Sequence, residues 1–179
     1  MTAEAVRARP PTGVLVMAHG TPADPAGVQP FYTAIRHGRP PPAGLVQELV
    51  GRYEAIGGTS PLAERTRAQV EGLARTLEAA APGEYAVRFG AKYTTPTIED
   101  GVAELSGTGV VRAIGLVLTP HQSTLGSGEY FRRASQASQA TTPPLELTSV
   151  PSWHRADGFP ELLADRTAAA LATLTPSQR

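Results

Sequence analysis

Apolar residues come in two rhythms along this chain, and the two alternate. Residues 13–18, 85–91, 110–118 and 145–150 are short runs dominated by Val, Ile, Leu and Ala, the pattern of strands buried on both faces. Between them the apolar positions recur at helical spacing. Residues 31–36 predict a short helix closed by Gly38 and the Pro40-Pro41-Pro42 run. Leu45, Val46, Leu49, Val50, Tyr53 and Ile56 predict a second helix, which Gly57-Gly58 stops. Ser60-Pro61 offers an N-cap followed by a helix-starting proline, and Leu62, Thr66, Val70, Leu73 and Leu77 mark the inner face of the next helix. Further helices are expected over 96–105, 127–138 and 159–174.

Alternating strands and helices predict an α/β fold, a parallel sheet of about four strands covered by helices on both faces. Residues 1–12 read as a disordered lead-in, 13–175 as a single domain and 176–179 as a tail. Right-handed crossovers would bring all strand-end loops to one rim, where α/β sheets bind ligands. Those loops carry His19 with Thr21, Lys92 with Tyr93, His121 with Ser123 and Thr124, and Ser152 with His154. Three of the four histidines therefore fall on one edge. Imidazole titrates near neutrality and is the commonest transition-metal ligand, so the rim points to metal or proton chemistry.

Composition removes several function classes. There is no cysteine, which excludes disulfides, thiolate metal sites and cysteine-ligated iron–sulfur clusters. Formal net charge is zero, which disfavours a nucleic-acid partner. No apolar run is long enough to span a bilayer and no secretory leader is recognisable, so the expectation is a cytoplasmic protein without membrane insertion. The loop after the first strand lacks the G-x-G-x-x-G spacing, and Pro22 and Pro25 remove amide donors a phosphate would need.

Each residue also has an ordinary reading. His19 could simply cap a turn, His121 after Pro120 could shape its loop, and His154 beside Trp153 could be surface packing. Arg36-His37-Gly38-Arg39 suits a carboxylate-bearing ligand but also a solvated turn. Tyr53, at the apolar face of a helix, could be core.

The chain resembles the N-terminal half of ferrochelatase, the enzyme that inserts ferrous iron into a porphyrin. The matching stretches are Val16-Met17-Ala18-His19-Gly20-Thr21-Pro22, Phe31-Tyr32-Thr33-Ala34-Ile35-Arg36-His37-Gly38-Arg39, and the highly specific Arg52-Tyr53-Glu54-Ala55-Ile56-Gly57-Gly58-Thr59-Ser60-Pro61-Leu62. The likeness continues through Ile98-Glu99-Asp100, Pro120-His121-Gln122-Ser123-Thr124, Tyr130 and Ser149-Val150-Pro151-Ser152-Trp153. It is strongest to the bacterial type that acts on coproporphyrin III.

That resemblance implies a Rossmann-like chelatase half, with the porphyrin lying in a cleft between two similar halves. It places His19 where bacterial relatives often carry a tyrosine facing the macrocycle; the position of His19 after the first strand, beside Gly20, and its imidazole chemistry make it the candidate metal ligand and catalytic base. It also matches Arg36, Arg52, Tyr53, Ser60 and Tyr130 to positions that contact the porphyrin and its propionates. Ferrous iron would be the substrate metal, with no organic cofactor and no iron–sulfur cluster. The family's principal metal-handling histidine and its acidic partner belong to the second half, so the implied partners are a porphyrin and a C-terminal half or second copy. Two alternatives remain open: a homodimeric minimal chelatase for iron or cobalt, similar to small cobaltochelatases, and a non-catalytic tetrapyrrole-binding protein.

Overall fold

A computed structural model describes residues 9–175. Most of the expected lead-in (residues 1–8) and the expected tail (176–179) lie outside the described residues. The order of elements is β1 (Thr12–Ala18), a 3₁₀ turn (Pro25–Gly27), α1 (Val28–Ile35), α2 (Ala43–Glu54), α3 (Leu62–Ala80), β2 (Tyr85–Ala91), α4 (Ile98–Gly107), β3 (Arg112–Val117), α5 (Ser127–Ala140), β4 (Glu146–Val150) and α6 (Phe159–Ala172). The strands form one parallel sheet in the order β2-β1-β3-β4. This is the parallel α/β arrangement that the alternation predicted, and it is Rossmann-like, as the resemblance implied.

The helices' local chemistry explains their limits. Before α4, Thr97 accepts from the Asp100 backbone N–H while Asp100 accepts from the Thr97 N–H, a reciprocal cap that leaves Pro96 outside the helix. The α2 helix ends at Glu54, and Gly57 and Gly58 follow with φ of 98° and 93°, a left-handed turn that glycine adopts freely. Helix α1 starts earlier than the apolar spacing suggested. Asp24 accepts from Gly27 N–H and closes the 3₁₀ turn that feeds it. At the amino end, β1 begins at Thr12, whose N–H donates to Glu84 O at 2.8 Å and which pairs with Tyr85. Thr12 thus belongs to the sheet rather than to the lead-in.

Strand side chains alternate between the sheet's faces. Leu15, Met17, Ala113 and Val117 face α4 and α5, where they join Ile98, Val102, Leu105, Tyr130 and Ala134 in the core. Close approach is built in, because a Cβ at Gly101 would sit 2.7 Å from Leu15 Cδ1 and 2.8 Å from Phe89 O. On the other face, Val14 and Val16 are buried, and Phe89 shares a cleft with Thr66 and Val70 of α3. Helix α6 has no buried residue. Because every strand is parallel, all the carboxyl ends lie along one edge, and that edge carries the site.

Candidate functional site

The rim starts with sheet bonding carried past the strands. Lys92 N–H donates to Ala18 O (2.9 Å), Tyr93 N–H to His19 O (3.2 Å) and Leu118 N–H to Met17 O (2.9 Å). The loops that hold His19 and Lys92 are therefore extensions of rigid strands. Gly20 has a φ of +84°, and a Cβ there would lie 2.3 Å from Thr94 Oγ1, so glycine lets the two loops close on each other.

His19 is exposed at the mouth of a groove of about 500 Å³. Its ring stands edge-on to Tyr93 (centroids 4.8 Å apart, planes at 65°) and to Phe31 (5.8 Å, 69°). Nδ1 lies 3.0 Å from Gly20 O. A carbonyl oxygen can only accept, so this bond places a proton on Nδ1 and leaves the Nε2 lone pair of the neutral ring free.

The groove runs from His19 past Ile35 and Leu49 to Arg52, Tyr53 and Ser60. Tyr53 Oη is 3.2 Å from Thr21 Oγ1, a bond that ties α2 to the loop after β1. Arg52 leans on Glu48 one turn back (2.5 Å), an exposed pair of small net strength. Ser60 Oγ accepts from Leu62 N–H (3.2 Å) at the start of α3, so its hydroxyl proton remains available to an acidic ligand.

A neighbouring cleft of about 630 Å³ shares Thr21 and Phe31 with this groove and is lined by Lys92, Tyr93, Glu129 and Arg133. Lys92 is buried, with Nζ 2.5 Å from Glu129 Oε2 and within about 5 Å of the ring centroids of Tyr93 (5.0 Å) and Tyr130 (5.1 Å). Burial pulls its pKa down, but hydrogen bonds to Glu129 and Tyr93 outweigh that pull and hold it above the usual 10.5. The hydrogen bond from Lys92 lowers Glu129 below the usual carboxylate value. Arg133 grips both Glu99 oxygens (2.8 and 2.5 Å) and donates to Lys92 O, and its hydrogen bonds depress Glu99. On the β3–β4 side, the rings of His121 and His154 lie with centroids 4.7 Å apart. Among the described residues no group of three metal-ligating side chains gathers.

The ferrochelatase family profile matches residues 11–179. The chain belongs to the ferrochelatase family. It is 41% identical over 168 residues to the coproporphyrin III ferrochelatase of Oceanobacillus iheyensis, covering 93% of this chain and 53% of the relative. It is 38% identical over 161 residues to the ferrochelatase of Herpetosiphon aurantiacus (90% and 53%), and 38% over 155 residues to the coproporphyrin III ferrochelatase of Listeria monocytogenes (86% and 50%). This ferrochelatase-family chain thus spans about half the length of the curated relatives it matches.

Within that family frame, four expected site residues share one groove: His19, Arg52, Tyr53 and Ser60. Two stand apart. Arg36 caps the end of α1 beside the Tyr32 ring (5.9 Å), with its Nε buried and without a hydrogen-bond partner. Tyr130 lies in the core beneath Lys92, lines neither cleft, and burial raises its pKa. Glu129 and Arg133 were not legible as site residues. The signal that existed was Lys92 itself, the chain's single lysine placed at a strand end, where burial demands an anionic partner.

Proposed function

We propose that this chain is the porphyrin-binding half of a ferrochelatase that inserts ferrous iron, as substrate metal, into coproporphyrin III in haem biosynthesis. The observation that carries the reading is the groove that unites His19, Arg52, Tyr53 and Ser60 at the rim of the sheet. Arg52 matches a propionate as a planar bidentate donor, and Ser60 adds a hydroxyl donor. Tyr53 and Phe31 supply flat apolar surface.

Metallation exchanges two pyrrole protons for one ferrous ion, so the site must supply proton acceptors and admit the metal. His19 Nε2 is the acceptor this chain offers, and a neutral imidazole is also a suitable iron ligand. Gly20 lets the loop that carries His19 close against Thr94. The second acceptor and the opposite wall of the cleft would come from a C-terminal half or a second copy. In support, Leu162, Leu163 and Leu171 on α6 are each half exposed. Among the described residues no helix is long and apolar enough to cross a membrane.

Anaerobic mixing of the chain with ferrous iron and coproporphyrin III tests this reading. With the rest of the cleft supplied by a C-terminal half or a second copy, the expected result is conversion of the free-porphyrin absorbance to that of the iron porphyrin, abolished in His19→Ala. Binding without conversion, even after a C-terminal half is added, would make the chain a tetrapyrrole carrier. Absence of binding would overturn the reading.

A further inference from the structure

The β3–β4 end of the rim holds a second imidazole centre that the porphyrin groove does not use. The rings of His121 and His154 lie with centroids 4.7 Å apart and planes inclined by 30°. The loop after β4 is stapled onto the turn after β3: Trp153 and His154 N–H both donate to Pro120 O (3.0 and 3.1 Å), and Trp153 Nε1 donates to Val117 O (2.9 Å). These bonds fix the backbone of both histidines against each other.

One hydrogen bond sets the chemistry of His154. Ser152 Oγ lies 3.0 Å from Pro120 O and 2.6 Å from His154 Nδ1. The carbonyl cannot donate, so the hydroxyl proton is directed at Pro120 and Oγ must accept from Nδ1–H. His154 is thereby held in the tautomer whose Nε2 lone pair is free. A ring locked by a hydrogen bond through its other nitrogen is the usual arrangement for a metal-binding histidine. His121 is exposed and its ring carries no hydrogen bond among the described residues.

We propose that His121 and His154 together bind a divalent first-row transition-metal ion through their imidazole nitrogens, with water filling the other positions. Imidazole pairs favour ions of this class over magnesium or calcium, which prefer oxygen ligands. With two protein ligands the site is weak and exchangeable, suited to holding an ion in transit rather than as a permanent structural metal. The proposal is independent of the porphyrin groove, because neither residue lines it.

Cobalt(II) is a suitable probe, added to the metal-free chain without porphyrin and followed by equilibrium dialysis and visible absorbance. The expected result is one Co2+ per chain, with affinity falling roughly tenfold or more in His121→Ala and in His154→Ala. Ser152→Ala, which keeps both imidazoles but releases the tautomer, should weaken binding by a smaller factor, and circular dichroism checks that each variant is folded. His37→Ala, which removes the imidazole that belongs to neither the groove nor the pair, should bind as the wild type does. Retention of full affinity in either His121→Ala or His154→Ala overturns the proposal, as does loss of binding in His19→Ala alone. That last outcome would move the ion to the porphyrin groove and leave the proposed function standing.

Discussion

Helices α4 and α6 both carry apolar residues along their length, yet they end in opposite environments. In α4, Ile98, Gly101, Val102 and Leu105 are all buried against the sheet. In α6 no residue is buried, and Leu162, Leu163 and Leu171 keep about half their surface in water. The difference lies in what meets each helix. Helix α4 has a reciprocal cap at its start and Gly101 pressed to the backbone of β2, whereas α6 begins after the left-handed Gly158 and makes few contacts beyond Phe159 on Trp153. Apolar residues in a helix therefore say that it has something to bury and do not say against what.

The contrast can be broken most forcefully at its tightest point. A β-branched side chain at Gly101 must displace Leu15 and the Phe89 carbonyl, so Gly101→Val should cost about 3 kcal/mol or more, enough to unfold much of the population. Close behind comes Leu105→Ala, at a fully buried position, with a loss of about 2–5 kcal/mol by chemical denaturation. The matching change on α6, Leu163→Ala, should cost under about 1 kcal/mol in the chain alone, because that side chain is half exposed already. A large loss at Leu163 would mean that α6 is buried in solution and would erase the comparison.

An intermediate effect separates the two clefts of the rim. Glu129→Gln leaves Lys92 buried without its anion and should destabilise the chain by about 1–3 kcal/mol near neutral pH. The sign with pH follows from the direction of the shift. A carboxyl whose folded pKa lies below its ordinary 4.5 stabilises the fold above that value and stops doing so as pH falls through the folded pKa. The gap between wild type and Glu129→Gln should therefore close on acidification below about pH 4.5, as thermal melts over that range will show. Least of all, Glu48→Gln releases Arg52 from an exposed ion pair and should tighten coproporphyrin III binding only a few-fold, by about 0.2–1 kcal/mol.

The central strand of the sheet was legible because a strand buried on both faces leaves a continuous apolar run, as in residues 13–18. The run over 110–118 shortens to Arg112–Val117 in the structure, since Val111 is half exposed and lies before the ladder begins. Half of the rim followed from topology alone: parallel strands put His19, Lys92, His121 and His154 at one edge. What the pattern could not contain was partnership across distance. Glu129 reads as an ordinary first-turn acid of α5, and only its meeting with Lys92, 37 positions away, gives it a role. Tyr130 illustrates the reverse. Family likeness placed it against a porphyrin, while the fold sets it in the core at 7% exposure, one layer behind Lys92. The tautomer of His154 was equally invisible, because it depends on where the Ser152 proton is directed.

The central claim is that a carboxylated porphyrin lies in the groove between His19 and Arg52, and direct titration tests it. Fluorescence and absorbance are followed as coproporphyrin III is added to the wild type and to Arg52→Ala. The account predicts saturable binding to the wild type and an affinity about tenfold lower in the variant, the loss expected for one charge-assisted hydrogen bond worth about 1.5 kcal/mol. Equal affinities would remove Arg52 from the site, and no saturable binding to either protein would contradict the account itself.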